Sequence, residues 1–170
     1  STVVTPEVDG IIENLQVAEG TTVNAGDVLF TLRNDSLDKA VREASQQVRS
    51  AEVGVNGAQA SLDSARSNYN TALNAWNSAP DGETQATLTD PDTLYDAVVS
   101  AQSSLEAAQV TLQGAREAYD EAVATAGKRT VKAPISGSVV AVGAVAGAST
   151  ASSAAPSQQG SNTPLVQIAD

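Results

Sequence analysis

The sequence predicts an α+β fold, a β-sandwich split by an inserted antiparallel coiled-coil hairpin. Three observations carry that prediction. Apolar residues keep a heptad beat from Leu37 to Trp76, and a second heptad runs from Leu94 to Ala126. Short β-patterned segments with turn residues at their breaks fill residues 1–34 and 128–170. Those two flanks repeat one another, so each reads as half of one sandwich rather than as a domain of its own.

The first flank, 1–34, reads as strands. Thr2–Val4, Pro6–Gly10, Ile11–Val17, Val23 and Val28–Leu32 read as short strands from their β-branched and aliphatic content. Ala18-Glu19-Gly20 and Asn24-Ala25-Gly26-Asp27 have turn composition.

The segment 35–127 reads as the hairpin, with helices over about 36–78 and 91–126 and a tip over 79–90. The first seam is Leu37, Val41, Ala44, Val48, Ala51, Val55, Ala58, Leu62, Ala65, Tyr69, Ala72 and Trp76. The second is Leu94, Val98, Ala101, Leu105, Ala108, Leu112, Ala115, Tyr119, Ala122 and Ala126. Steps of four and three alternate, the spacing of a coiled-coil seam. Bulky residues occupy the a positions and Ala occupies nearly every d. An antiparallel pair sets each bulky a against a small d and lets the axes approach toward the close end of the usual 8–10 Å. Asn34-Asp35-Ser36 starts the first helix, and Asp38 suits its positive dipole end. Ala79-Pro80 stops it. Asp90-Pro91-Asp92 supplies an N-cap with Pro in the first turn of the second helix, which ends at Gly127 beside Lys128 and Arg129. Gly54 and Gly114 each cost about 1 kcal/mol of helix propensity, and close approach of the two backbones is one reason to expect for them.

The second flank, 128–170, repeats the first. Pro6–Gly10 matches Pro134–Gly137, Ile12 and Leu15 match Val139 and Val142, Gly20 matches Gly147, and Val28–Leu32 matches Pro164–Ile168. The halves differ chiefly in 148–163, whose Ser, Ala, Gln and Gly content reads as a flexible loop.

Composition removes whole classes of function. The chain has no Cys, no His and no Met, which leaves no disulfide, thiol nucleophile, imidazole base or usual zinc ligand. A catalytic role is not expected, nor is a cofactor. Twenty acidic against nine basic residues give a net charge of −11, which argues against a nucleic-acid partner. The longest apolar run, Val139–Ala146, is too short to span a bilayer, and no stretch reads as a secretory signal. Lack of Cys is compatible with an extracytoplasmic location.

The residues also carry a resemblance. Val4-Thr5-Pro6-Glu7-Val8-Asp9-Gly10-Ile11-Ile12, followed by Val17 to Leu32, resembles the first half of a lipoyl/biotinyl-like domain. Val131-Lys-Ala-Pro-Ile-Ser-Gly-Ser-Val-Val140, ending in Leu165-Val-Gln-Ile-Ala-Asp170, resembles the second half. A lipoyl-like domain split by a helical hairpin is the layout of the membrane fusion proteins, the adaptors of bacterial efflux and secretion complexes. Its closing Pro-Leu-Val-Gln-Ile-Ala-Asp is most similar to adaptors of macrolide-type ABC exporters. The resemblance implies an extracytoplasmic adaptor, a homohexameric ring around the substrate path, and an ABC transporter permease as partner. It further implies barrel and membrane-proximal domains before Ser1 and after Asp170, with the membrane anchor among them. Val145, Ala146 and Gly147 match the family's channel-constriction loop, with Ala146 standing where a Gln is expected.

The hairpin tip departs from the Gram-negative pattern of an Arg, a Leu four residues on and a Ser seven beyond. No basic residue lies between Arg66 and Arg116, and the tip carries Asp81, Glu83, Asp90 and Asp92 with Tyr95 off the seam. That argues against docking to an outer-membrane channel and fits a Gram-positive cell surface, a periplasmic location remaining the other reading. The tip carboxylates lack the regular spacing of a calcium loop and read first as helix caps. Lys128 and Lys132 flank the hairpin instead of a tight exposed turn, so a biotinyl or lipoyl carrier is the lesser reading. A surface structural coiled coil is a third.

Overall fold

The computed structural model describes residues 1–150 and 165–170. The chain forms two compact units, Ser1–Arg42 with Glu121–Asp170 and, separately, Glu43–Asp120.

The first unit is the sandwich. Its strands are β1 (Thr2–Val4), β2 (Ile11–Glu13), β3 (Thr22–Val23), β4 (Val28–Arg33), β5 (Thr130–Lys132), β6 (Gly137–Val142) and β7 (Val166–Ala169). One sheet has the order β1-β7-β6-β3 and the other β2-β4-β5, with every pairing antiparallel. Each sheet therefore contains strands of both flanks. Thr2 lies opposite Ile168, and Thr31 of the first flank lies opposite Thr130 of the second.

The repeat seen in the sequence becomes a symmetry of hydrogen bonds. The Gly20 amide donates to the Val139 carbonyl and the Val139 amide to the Thr21 carbonyl, both at 2.8 Å. On the other side the Gly147 amide donates to the Ile12 carbonyl at 2.8 Å and the Ile12 amide to the Ala148 carbonyl at 2.9 Å. Both flanks close one core. Ile12, Leu29, Phe30, Val139, Val166 and Ile168 are almost fully buried in a single apolar cluster. Leu29 and Phe30 both face inward although they are consecutive, because the β4–β5 register shifts between Val28 and Phe30.

Two glycines hold equivalent places against the chain. A Cβ on Gly10 would meet the Arg33 carbonyl oxygen at 2.7 Å, and one on Gly137 would strike the Ala169 carbonyl oxygen. These positions, just before β2 and at the start of β6, admit no side chain.

The second unit is the hairpin. Helix α1 runs Asp35–Asn77, α2 Gly82–Gln85 and α3 Pro91–Gly127, so α1 begins and α3 ends among residues of the sandwich unit. Every seam residue is buried or half-buried, led by Leu62, Leu105 and Leu112. Antiparallel pairing is read from cross-helix contacts. The Arg66 guanidinium donates to Gln102 at 3.2 Å, Arg116 lies 3.8 Å from Glu52, and the rings of Tyr69 and Tyr95 meet edge to face at 5.7 Å.

Four expectations are corrected. The strand expected over Ile11–Val17 ends at Glu13, because Asn14 adopts a positive φ of 49° that turns the chain out of the extended region. Pro6–Gly10 forms no strand and bends instead, with Gly10 pressed on β4. Gly54 and Gly114 have no heavy atom within 4 Å of a built Cβ, so close backbone approach is not their reason. Ala148–Thr150, expected as the start of a flexible loop, is tied to the first flank. Gly10 and Thr150 exchange bonds of 3.0 Å and 3.1 Å, through the Thr150 amide and its Oγ1. Residues 151–163 of that expected loop lie outside the described residues.

Candidate functional site

Two regions hold the candidate residues, one in each unit. The first is the turn Val145–Ala148. The Ala148 amide donates to the Val145 carbonyl at 3.0 Å, and Gly147 takes a φ of 90°, the left-handed value required at the third position of a type II turn. Val145 is 63% exposed, and Ala146 and Gly147 are exposed as well. The turn's base is held by the Gly147 and Ile12 bonds described above. Its tip thus presents a valine and an alanine to solvent with no charged or amide side chain.

An equivalent turn stands in the first flank. The Thr21 amide donates to the Ala18 carbonyl at 3.1 Å, Gly20 takes a φ of 92°, and the Thr21 hydroxyl accepts from the Ala18 amide at 3.1 Å. Glu19 occupies the place that Ala146 holds in the second turn. Sequence reasoning aligned Gly20 with Gly147 but passed over this carboxylate. The signal was present one residue before the aligned glycine.

The second region is the hairpin tip. Asp81 Oδ1 accepts the Thr84 amide at 2.8 Å and caps α2, a short helix inside the expected joint. That amide, with the Thr84 side chain, holds the Asp81 carboxyl below its ordinary value, since hydrogen bonds to the charged form favour it. Asp90 Oδ1 accepts the Asp92 amide at 3.0 Å and caps α3 ahead of Pro91. Glu83 and Asp92 lie in first helical turns, where the dipole favours a carboxylate. No set of three or more acidic residues among the described ones is arranged to hold a metal ion. Tyr95 leans on Tyr69 yet remains 52% exposed. The Gln85 side-chain amide donates to the Trp76 carbonyl at 3.2 Å, tying α2 to the end of α1. Lys132 lies in β5 and Lys128 follows α3, so neither sits at the apex of a β-turn of the kind that the carrier reading needs.

Strand pairing, the two equivalent turns and the hairpin between β4 and β5 define a split lipoyl-type sandwich carrying a helical hairpin. The family model described as RND MFP, barrel-sandwich hybrid domain, matches residues 1–159, and the chain belongs to that family of membrane fusion proteins. Solved structures agree in fold. MacA from Actinobacillus actinomycetemcomitans superposes with a TM-score of 0.76 at 20% identity, covering 100% of this chain and 49% of that one. The membrane fusion protein Spr0693 from Streptococcus pneumoniae R6 has a TM-score of 0.62 at 19% identity, covering 98% and 63%. ZneB from Cupriavidus metallidurans has a TM-score of 0.53 at 23% identity, covering 99% and 60%. The chain thus spans about half to two thirds of the length of these proteins. Comparison with curated sequences finds no match. No helix among the described residues is long and apolar enough to cross a membrane.

Proposed function

We propose that the protein is the extracytoplasmic adaptor of an ABC-type efflux or export complex. It works as a homohexameric ring, held at the outer face of the cell membrane by a segment outside these residues. Val145, Ala146 and Gly147 line the narrowest point of the substrate path, and an apolar tip there makes a loose gate instead of a polar one. The hairpins stand side by side as a wall, and Asp81, Glu83, Asp90, Asp92 and Tyr95 face whatever lies beyond. The observation that carries this reading is the family match over residues 1–159, supported by the hairpin's place between two interlocked half-sandwiches. The ABC assignment draws on the closing Pro164-Leu-Val-Gln-Ile-Ala-Asp170, and the description of the family model makes an RND permease the competing partner.

The test uses a chain without native cysteine. Single cysteines at exposed positions, A146C and separately T87C, are placed in the full-length protein and crosslinked in intact cells. Self-ladders up to six copies with A146C, and an ABC permease in the pulled-down complex, are expected. Absence of any ladder sinks the ring, and an RND permease in place of the ABC one overturns the transporter assignment.

A further inference from the structure

Within the sandwich unit, the first turns of α1 and the last turn of α3 border an open groove of about 670 Å³ with the β4–β5 pair. That volume lies in the range of small-molecule sites, about 300–1,000 Å³. Its apolar lining is Leu32, Val41, Val123 and Ala126. Val123 is 43% exposed there, while Leu32 and Ala126 are buried. Thr31 and Thr130, directly opposite in register, add two hydroxyls.

The charge of the lining is opposite to that of the protein. The chain as a whole carries −11, yet this lining holds two of its nine basic residues, Arg42 and Arg129, and one of its twenty acidic ones, Asp38. Arg129 is fixed in place. Its Nε donates to the Ala126 carbonyl at 2.8 Å and its Nη1 to Asp38 Oδ1 at 2.6 Å. Asp38 is therefore already answered by Arg129. Arg42 has no hydrogen-bond or ion-pair partner among the described residues. An apolar wall beside an unanswered guanidinium is complementary to a molecule with an apolar body and an anionic head.

We propose that this groove binds a small anionic amphiphile, a carboxylate on a short alkyl or aromatic body. The head pairs with Arg42, and the body lies along Val41 and Val123, the accessible part of the apolar lining. The site stands apart from the adaptor reading, because it uses neither the turn at Ala146 nor the hairpin tip.

The test is calorimetric titration of the full-length protein with sodium octanoate, octylammonium chloride serving as the matched cation. Photocrosslinking with a diazirine-bearing octanoate then maps the contact. Saturable octanoate binding is expected, with crosslinks confined to peptides spanning 37–43 and 121–130. R42Q should weaken it about tenfold or more, since a charge-assisted bond is lost, and R42K should weaken it less. Octylammonium should neither bind there nor compete. Absence of saturable octanoate binding, crosslinks elsewhere, equal competition by octylammonium or unchanged binding to R42Q would each overturn the proposal. Arg42 is exposed, so R42Q should keep the parent's stability within about 0.5 kcal/mol, checked by thermal melt beside the titration.

Discussion

Arg129 and Asp38 are 91 residues apart in sequence, and their side chains meet at 2.6 Å. The guanidinium follows the C-terminus of α3, where carbonyls are unsatisfied, and the carboxylate lies in the first turn of α1, where amides are. One ion pair thus answers two helix ends, and Arg129 also takes the Ala126 carbonyl.

From that geometry R129A should lower stability by about 1–2 kcal/mol, the worth of two charge-assisted bonds discounted for partial exposure. D38A should cost less, because it leaves the bond to Ala126 intact. A double-mutant cycle by urea denaturation checks the pair, and a coupling energy near zero would show that the contact contributes nothing.

Glycine positions divide into two kinds. G10A and G137A should each destabilise by about 2–4 kcal/mol, since the added methyl meets backbone atoms that cannot move aside. G54A and G114A should stabilise by about 1 kcal/mol each, because both face open space in a helix. Thermal melts of the four variants decide it, and a loss of stability in G54A would point to a packing role for that position.

Leu62 is 1% exposed at the middle of the hairpin seam, whereas Val53 on α1 is 69% exposed. L62A should therefore cost about 2–4 kcal/mol. V53A should stay within about 0.5 kcal/mol of the parent. Equal losses at the two sites in chemical denaturation would mean that Val53 is covered in solution.

Asp81 gives the tip a dependence on pH. Its carboxyl titrates below the unfolded value in the folded state, so the stabilisation from this cap is complete above the unfolded value. It is lost as the pH falls through the folded one. The protection factor of the Thr84 amide should fall in acid, and that pH dependence should be absent in D81A. Exchange that is indifferent to the substitution would remove Asp81 as the cap.

The seams were legible because a 3.5-residue period survives any detail of packing. The flanks were legible because the repeat preserved Gly10 with Gly137 and Gly20 with Gly147. Of the candidate residues, Asp90 was readable as an N-cap from Asp-Pro, whereas the short helix that Asp81 caps lies in a stretch whose composition reads as a turn. Tyr95 was not. Its partner Tyr69 lies on the other helix, and an edge-to-face contact depends on helix register.

By itself, the sequence determined the order of parts, the heptad hairpin, the two matching half-sandwiches and the absence of thiol and imidazole chemistry. Those follow from spacing and composition, which are local. Tertiary structure alone decided that Gly10 and Thr150 exchange hydrogen bonds, that Tyr95 leans on Tyr69, and that Arg129 joins Asp38 beside an unpaired Arg42. Each of these depends on atoms brought together from distant parts of the chain, and no period in the sequence encodes such a meeting.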